Sequence, residues 1–110
     1  MLGRQHPETV LCLNNLGRLC YAQGNYTEAE QIVTQALASS RETLGAMHPH
    51  IAASLNILSA VYYATRAYEQ AAPLLEESLR MCETMLPADH PLTAHVRRNL
   101  LLVQHKLDAR

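Results

Sequence analysis

The chain has 110 residues, 48% of them hydrophobic and 17% charged. That is enough for one domain with a modest core, and too little for several. A formal net charge of −1 removes any strong overall attraction to nucleic acid or an anionic membrane surface. No apolar run approaches the roughly 18–20 residues that a membrane span needs.

Three His-Pro steps, His6-Pro7, His48-Pro49 and His90-Pro91, recur at an interval of 42 residues (48 − 6 and 90 − 48). At the same shift Leu13-Asn14 meets Leu55-Asn56, Tyr21-Ala22 meets Tyr63-Ala64, and Tyr26, Ala29 and Leu37 meet Tyr68, Ala71 and Leu79. A self-match of this breadth marks an internal repeat, and periods of about 20–50 residues belong to stacked-unit folds. The units fall at 6–47 and 48–89, with a partial one at 90–110.

The first helix begins after His6-Pro7, because proline suits a first turn whose N–H has no partner. Leu13, Leu16, Leu19 and Cys20 give it an apolar stripe. Gly24-Asn25 breaks it, since both residues tolerate left-handed backbone. The second helix carries Tyr26, Ala29, Ile32, Val33, Ala36, Leu37 and Leu44, and Gly45 stops it. Unit two follows the same plan from Pro49 to Leu86, with Thr65-Arg66-Ala67 as a less obvious turn. Pro73 lies inside its second helix, where it removes one hydrogen bond and is expected to bend the axis. A fifth helix runs from about Pro91 to Lys106. The fold class is therefore all-α: two helix pairs and a terminal helix, stacked because a lone pair cannot bury its own apolar face.

Leu16-Gly17, Cys20, Gly24, Tyr26, Ala29 and Ala36-Leu37 resemble the tetratricopeptide repeat, as do Leu58, Tyr62, Tyr68, Ala71 and Leu79 in unit two. Unit two departs from the pattern at Ser59, Arg66 and Ser78. The interval of 42 rather than about 34, with Leu13 to Leu16 reading Leu-Asn-Asn-Leu, resembles the kinesin-light-chain-type subclass. The resemblance implies a right-handed solenoid in which the first helix of each pair lines a concave, peptide-gripping face. It implies a non-catalytic protein-interaction module without cofactor, and nothing about a motor.

On that reading the concave face carries Asn14, Asn15, Arg18 and Tyr21, then Asn56 and Tyr63, then Arg98 and Asn99, with Leu11, Ile57, Ala60 and Leu102 beside them. Asparagine is a poor helix former, so its presence inside these helices asks for a reason. An amide offers donors and an acceptor to a peptide backbone; it can equally join neighbouring helices. Arg18, Arg98 and Lys106 fall on this face while Glu28, Glu30, Glu69, Glu76, Glu77 and Glu83 fall on the second helices. The expected ligand is an extended peptide, favoured when acidic, because arginine grips carboxylates.

Other chemistry reads weakly. The repeated histidines lie about one helix pair apart, too far to share an ion, and read as helix-start punctuation. Three cysteines, Cys12, Cys20 and Cys82, fit buried thiols in a reducing, cytoplasmic setting rather than disulfides. Met1-Leu2-Gly3-Arg4 has no apolar secretory core. No catalytic triad, paired-carboxylate site or phosphate loop is present. Leu2-Gly3 matches Leu44-Gly45, the end of a second helix, so the first helix is expected to lack a neighbour on one flank. Self-association through that flank, or membership of a longer array, is the rival reading.

Overall fold

Pro7, Pro49 and Pro91 each occupy the first position of a helix, so the sequence interval becomes a structural one. A computed structural model describes residues 7–45 and 47–109. Five helices follow in order: α1 Pro7–Ala22, α2 Tyr26–Leu44, α3 Pro49–Ala64, α4 Tyr68–Met85 and α5 Pro91–Asp108. Each packs against the next, and α3 also touches α1 and α5. The architecture is an all-α helical solenoid.

The two described His-Pro steps do more than mark helix starts. His48 is extended at φ −163°, and its ring Nδ1 accepts the His50 N–H at 3.0 Å. His90 does the same for the Leu92 N–H at 3.1 Å. The imidazole thus caps the helix as Ser, Asp or Asn usually does. Only a neutral ring has that acceptor, because both nitrogens donate once it is protonated. Burial, and then the charge of the neighbouring His50, hold His48 below the ordinary histidine value. The two rings lie 4.8 Å apart. His6, the first of the three, lies outside the described residues.

The hairpin turns repeat as faithfully as the starts. Gly24 N–H donates to Tyr21 O and Asn25 N–H to Cys20 O; Arg66 N–H donates to Tyr63 O and Ala67 N–H to Tyr62 O. This pair of bonds is the Schellman ending, which needs a left-handed residue at its pivot. Gly24 supplies it at φ 81° and Arg66 at φ 66°. Unit two thus makes the same turn from an unfavourable residue, which is why its sequence hides it. α4 is continuous through Pro73.

The core centres on α3, whose Ile51, Ala52, Leu55, Ile57, Leu58 and Val61 are all buried. A helix apolar on every side belongs in the middle of a stack. Val33 and Leu37 from α2, Leu75 and Cys82 from α4, and Val96 and Val103 from α5 join the same cluster. Gly17 lets α1 approach α2, since a Cβ there would collide with Val33. Ser78, a departure from the repeat pattern, is fully buried and donates to Ala52 O at 2.8 Å, tying α4 to α3.

Arg66→Gly removes a left-handed non-glycine and should stabilise the fold by about 0.5–1 kcal/mol, read from the urea midpoint. Because the His48 value is depressed in the folded state, its contribution is complete above the ordinary value of 6.5 and is lost as pH falls below it. Urea midpoints should therefore drop between neutral pH and mild acid, and His48→Asn, whose cap does not titrate, should reduce that drop.

Candidate functional site

The first helices of successive units lie side by side, and a cleft of about 310 Å³ opens along them. Tyr21 of α1, Ser59, Ala60 and Tyr63 of α3, and Arg98, Asn99 and Leu102 of α5 line it, with Leu75 of α4 and Val103 of α5 completing it. Six residues expected on this face, Tyr21, Ala60, Tyr63, Arg98, Asn99 and Leu102, meet here although 81 positions separate the first from the last (102 − 21). Ser59, Leu75 and Val103 were not anticipated. Leu75 comes from a second helix, outside the rule that assigns the face to first helices.

The tyrosines are braced within their own hairpins. Tyr21 packs on Tyr26 with ring centroids 5.7 Å apart, and Tyr63 on Tyr68 at 5.4 Å. The pairs are one interval apart, so this geometry was written in the repeat. Tilted and edge-on ring pairs of this kind add about 0.5–1.5 kcal/mol beyond area burial. They also restrict the rings, leaving one flank of each toward the cleft.

The asparagines divide. Asn14 is 1% exposed, with its amide nitrogen donating to His50 O at 3.1 Å and its oxygen accepting from Ser54 Oγ at 2.6 Å. It holds α1 to the start of α3 and does not face a ligand, which corrects the expectation drawn from its helix propensity. Ile57 is likewise buried between helices rather than on the open face. Asn99 donates to the Asn56 oxygen at 2.9 Å, joining α3 to α5. Asn56 is half-buried and lies outside the cleft lining, whereas Asn99 lines it. Asn15 and Arg18 are exposed, bonded to one another at 3.1 Å, and lie outside the cleft lining.

Charge is segregated around this geometry. No acidic residue lines the cleft, and Arg98 has no ion pair among the described residues. The described ion pairs are Arg41–Glu77 at 3.0 Å and Arg97–Glu83 at 3.3 Å. Both are well exposed and add little stability. Tyr62 lies on the far side of α3, where burial and a hydrogen bond to Glu30 hold its phenol above the ordinary value.

The thiols are free. Cys20 packs in a small cluster with Ala29 and Val61. Burial pushes the Cys82 thiol up, which suits packing rather than nucleophilic chemistry. Cys12 corrects the expectation of a buried thiol: it is exposed, with no described helix packed on that side of α1. Among the described residues no group of three His, Cys, Asp or Glu could hold a metal ion.

A profile of the tetratricopeptide repeat family matches residues 9–84, and the chain belongs to that family. Its members are typically non-catalytic modules that mediate protein–protein interaction. No curated protein matches the chain in sequence.

Asn14→Ala leaves the His50 carbonyl and the Ser54 hydroxyl without this buried partner and should destabilise the fold by about 1–3 kcal/mol in urea denaturation. A ligand-facing Asn14 would instead leave stability unchanged.

Proposed function

We propose that this tetratricopeptide repeat protein holds an extended, preferentially acidic peptide segment in the cleft along α1, α3 and α5. The observation that carries the reading is Arg98, an exposed guanidinium in a cleft with no acid of its own. A carboxylate brought there gains a charge-assisted, bidentate bond without displacing an existing partner. Tyr21, Tyr63, Ala60 and Leu102 offer apolar surface to ligand side chains. Asn99 keeps its amide oxygen beside them as an acceptor for a peptide N–H, its nitrogen being engaged with Asn56. Arg18 and Asn15 extend the same polar face toward the other end of α1.

The acidic residues of α2 and α4, Glu28, Glu30, Glu69, Glu76, Glu77 and Glu83, fit the same reading by repelling an acidic ligand from the opposite surface. Three free cysteines support a reducing, cytoplasmic setting. No described helix is long and apolar enough to cross a membrane. The interval of 42 residues supports the kinesin-light-chain-type subclass.

An array of acidic peptides beside their amidated (Asn/Gln) counterparts tests the proposal. The protein should favour the acidic set, and Arg98→Glu should weaken that binding by about tenfold or more. Arg41→Glu, on the outer surface, should leave it unchanged. Equal binding by wild type and Arg98→Glu, or no preference for the acidic set, would overturn the reading. Raising the salt should erode the preference, since these charges are open to solvent.

A further inference from the structure

A second cavity, of about 270 Å³, shares no lining residue with the cleft. Tyr26 and Glu30 of α2 line it, with Val61 and Tyr62 of α3, Ala67 of the turn and Gln70 of α4. Its volume lies below the roughly 300–1,000 Å³ of small-molecule sites and suits one long side chain. Among the described residues lining it, Glu30 alone is charged, and no described ion pair includes it. Arg66 lines a neighbouring depression with Tyr68 and Glu69, so the cavity has no cation of its own in its lining.

Glu30 is held but not used up. The Tyr62 hydroxyl hydrogen-bonds to its carboxylate. A carboxylate has about four acceptor sites, so this bond orients Glu30 and leaves room for further donors. Glu30, Tyr26 and Tyr62 are all half-buried, where a charge is screened less than on the open surface. Tyr26 is braced by its ring contact with Tyr21 at 5.7 Å. The walls are therefore set before anything enters.

Stacking of the repeat does not require these residues. At the next junction, one interval on, Tyr26 recurs as Tyr68, but Glu30 becomes Ala72 and Tyr62 becomes Gln104. In α1 the position of Tyr62 is Cys20, packed in the small cluster with Ala29 and Val61. The carboxylate and the second ring thus belong to this junction alone among the described ones. A half-buried carboxylate that alanine can replace in the same fold has some use other than packing.

The sign of the site follows from magnitudes. α3 ends beside the cavity while α2 and α4 begin there. Their end charges of about half a unit have opposite signs and partly offset one another. The full charge of Glu30 then makes the cavity negative. Aromatic faces beside a carboxylate favour a cation, and a flat, weakly hydrated guanidinium more than a compact ammonium, because it can stack on a ring and fork onto the carboxylate together.

We propose that this cavity is a binding site for an arginine side chain of a partner protein, with the guanidinium bonded to Glu30 and lying against the rings of Tyr26 and Tyr62. It takes the opposite charge to the cleft of Arg98 and does not depend on what that cleft holds. Gln70 offers a further acceptor at the rim.

The probes are the blocked tripeptide Gly-Arg-Gly and the same peptide with citrulline, which keeps the shape and removes the charge. They are titrated against the full chain with labelled alanine and valine methyls. The arginine peptide should shift the Val61 and Ala67 methyls to saturation, and leave Ala60 and Val103 of the cleft unmoved, because Arg98 repels it. Citrulline should bind about tenfold more weakly or worse. Glu30→Gln keeps an acceptor for Tyr62 and should cost a similar factor. Glu30→Ala, the residue that the next unit carries as Ala72, should do the same without loss of fold. Tyr62→Leu should weaken binding severalfold, whereas Tyr62→Phe keeps the ring and should retain it. Equal binding of the two peptides would overturn the proposal. So would undiminished binding in both Glu30 variants, or shifts confined to the cleft methyls.

Discussion

The constraint behind this structure is that a pair of helices cannot cover both flanks of its own first helix. Among the described residues, α2 and α3 pack on α1 and leave its other flank open. α3 escapes this because it has α1 and α2 on one side and α4 on the other, so every Ile, Leu and Val it carries is buried. Burying a Leu or Ile side chain contributes about 1.5–3 kcal/mol, and α3 provides several. Stability in the stack is thus a property of junctions between units, and each unit is completed by its neighbour.

That constraint also decides what happens to the asparagines. Neighbouring first helices approach closely, and the backbone at the start of α3 leaves the His50 carbonyl within reach of α1. A buried carbonyl and a buried hydroxyl need partners, and one amide serves both at Asn14. Asn99 and Asn56 repeat the tie between α5 and α3 with different chemistry. Polar residues on first helices therefore divide between joining units and lining the cleft, and helix propensity cannot separate the two uses. Accessibility separates them: Asn14 is sealed, whereas Arg98 and Asn99 reach the cleft.

The same histidines that announce the repeat set its ends. An imidazole nitrogen caps α3 and α5 where a carboxylate or hydroxyl would be the ordinary choice. The fold consequently carries a proton-sensitive group, His48, at the start of α3, a helix that also lines the cleft. Proline after it excludes continuation of a preceding helix and fixes the entry angle. Arg66 illustrates the converse: the interval keeps the turn even where the residue is unsuited to it, because flanking helix packing outweighs a local strain of about 1–2 kcal/mol.

Periodicity by itself determined the number of helices, the starts of α1, α3 and α5 at the His-Pro steps, and the placing of Tyr21 over Tyr63 and of Tyr26 over Tyr68. Those features rest on local backbone preference and on spacing along one helix or hairpin, and both are written in neighbouring residues. Even the tie of Asn99 to Asn56 follows residues that the alignment placed near each other. Only the tertiary structure decided that Asn14 and Ile57 are sealed, that Cys12 is open, that Leu75 reaches the cleft, and that Arg98 stands there without an acid. Each of these depends on what a different unit brings against a helix face. A repeat writes the same face at every interval, and the neighbour determines whether it becomes core, cleft or open flank.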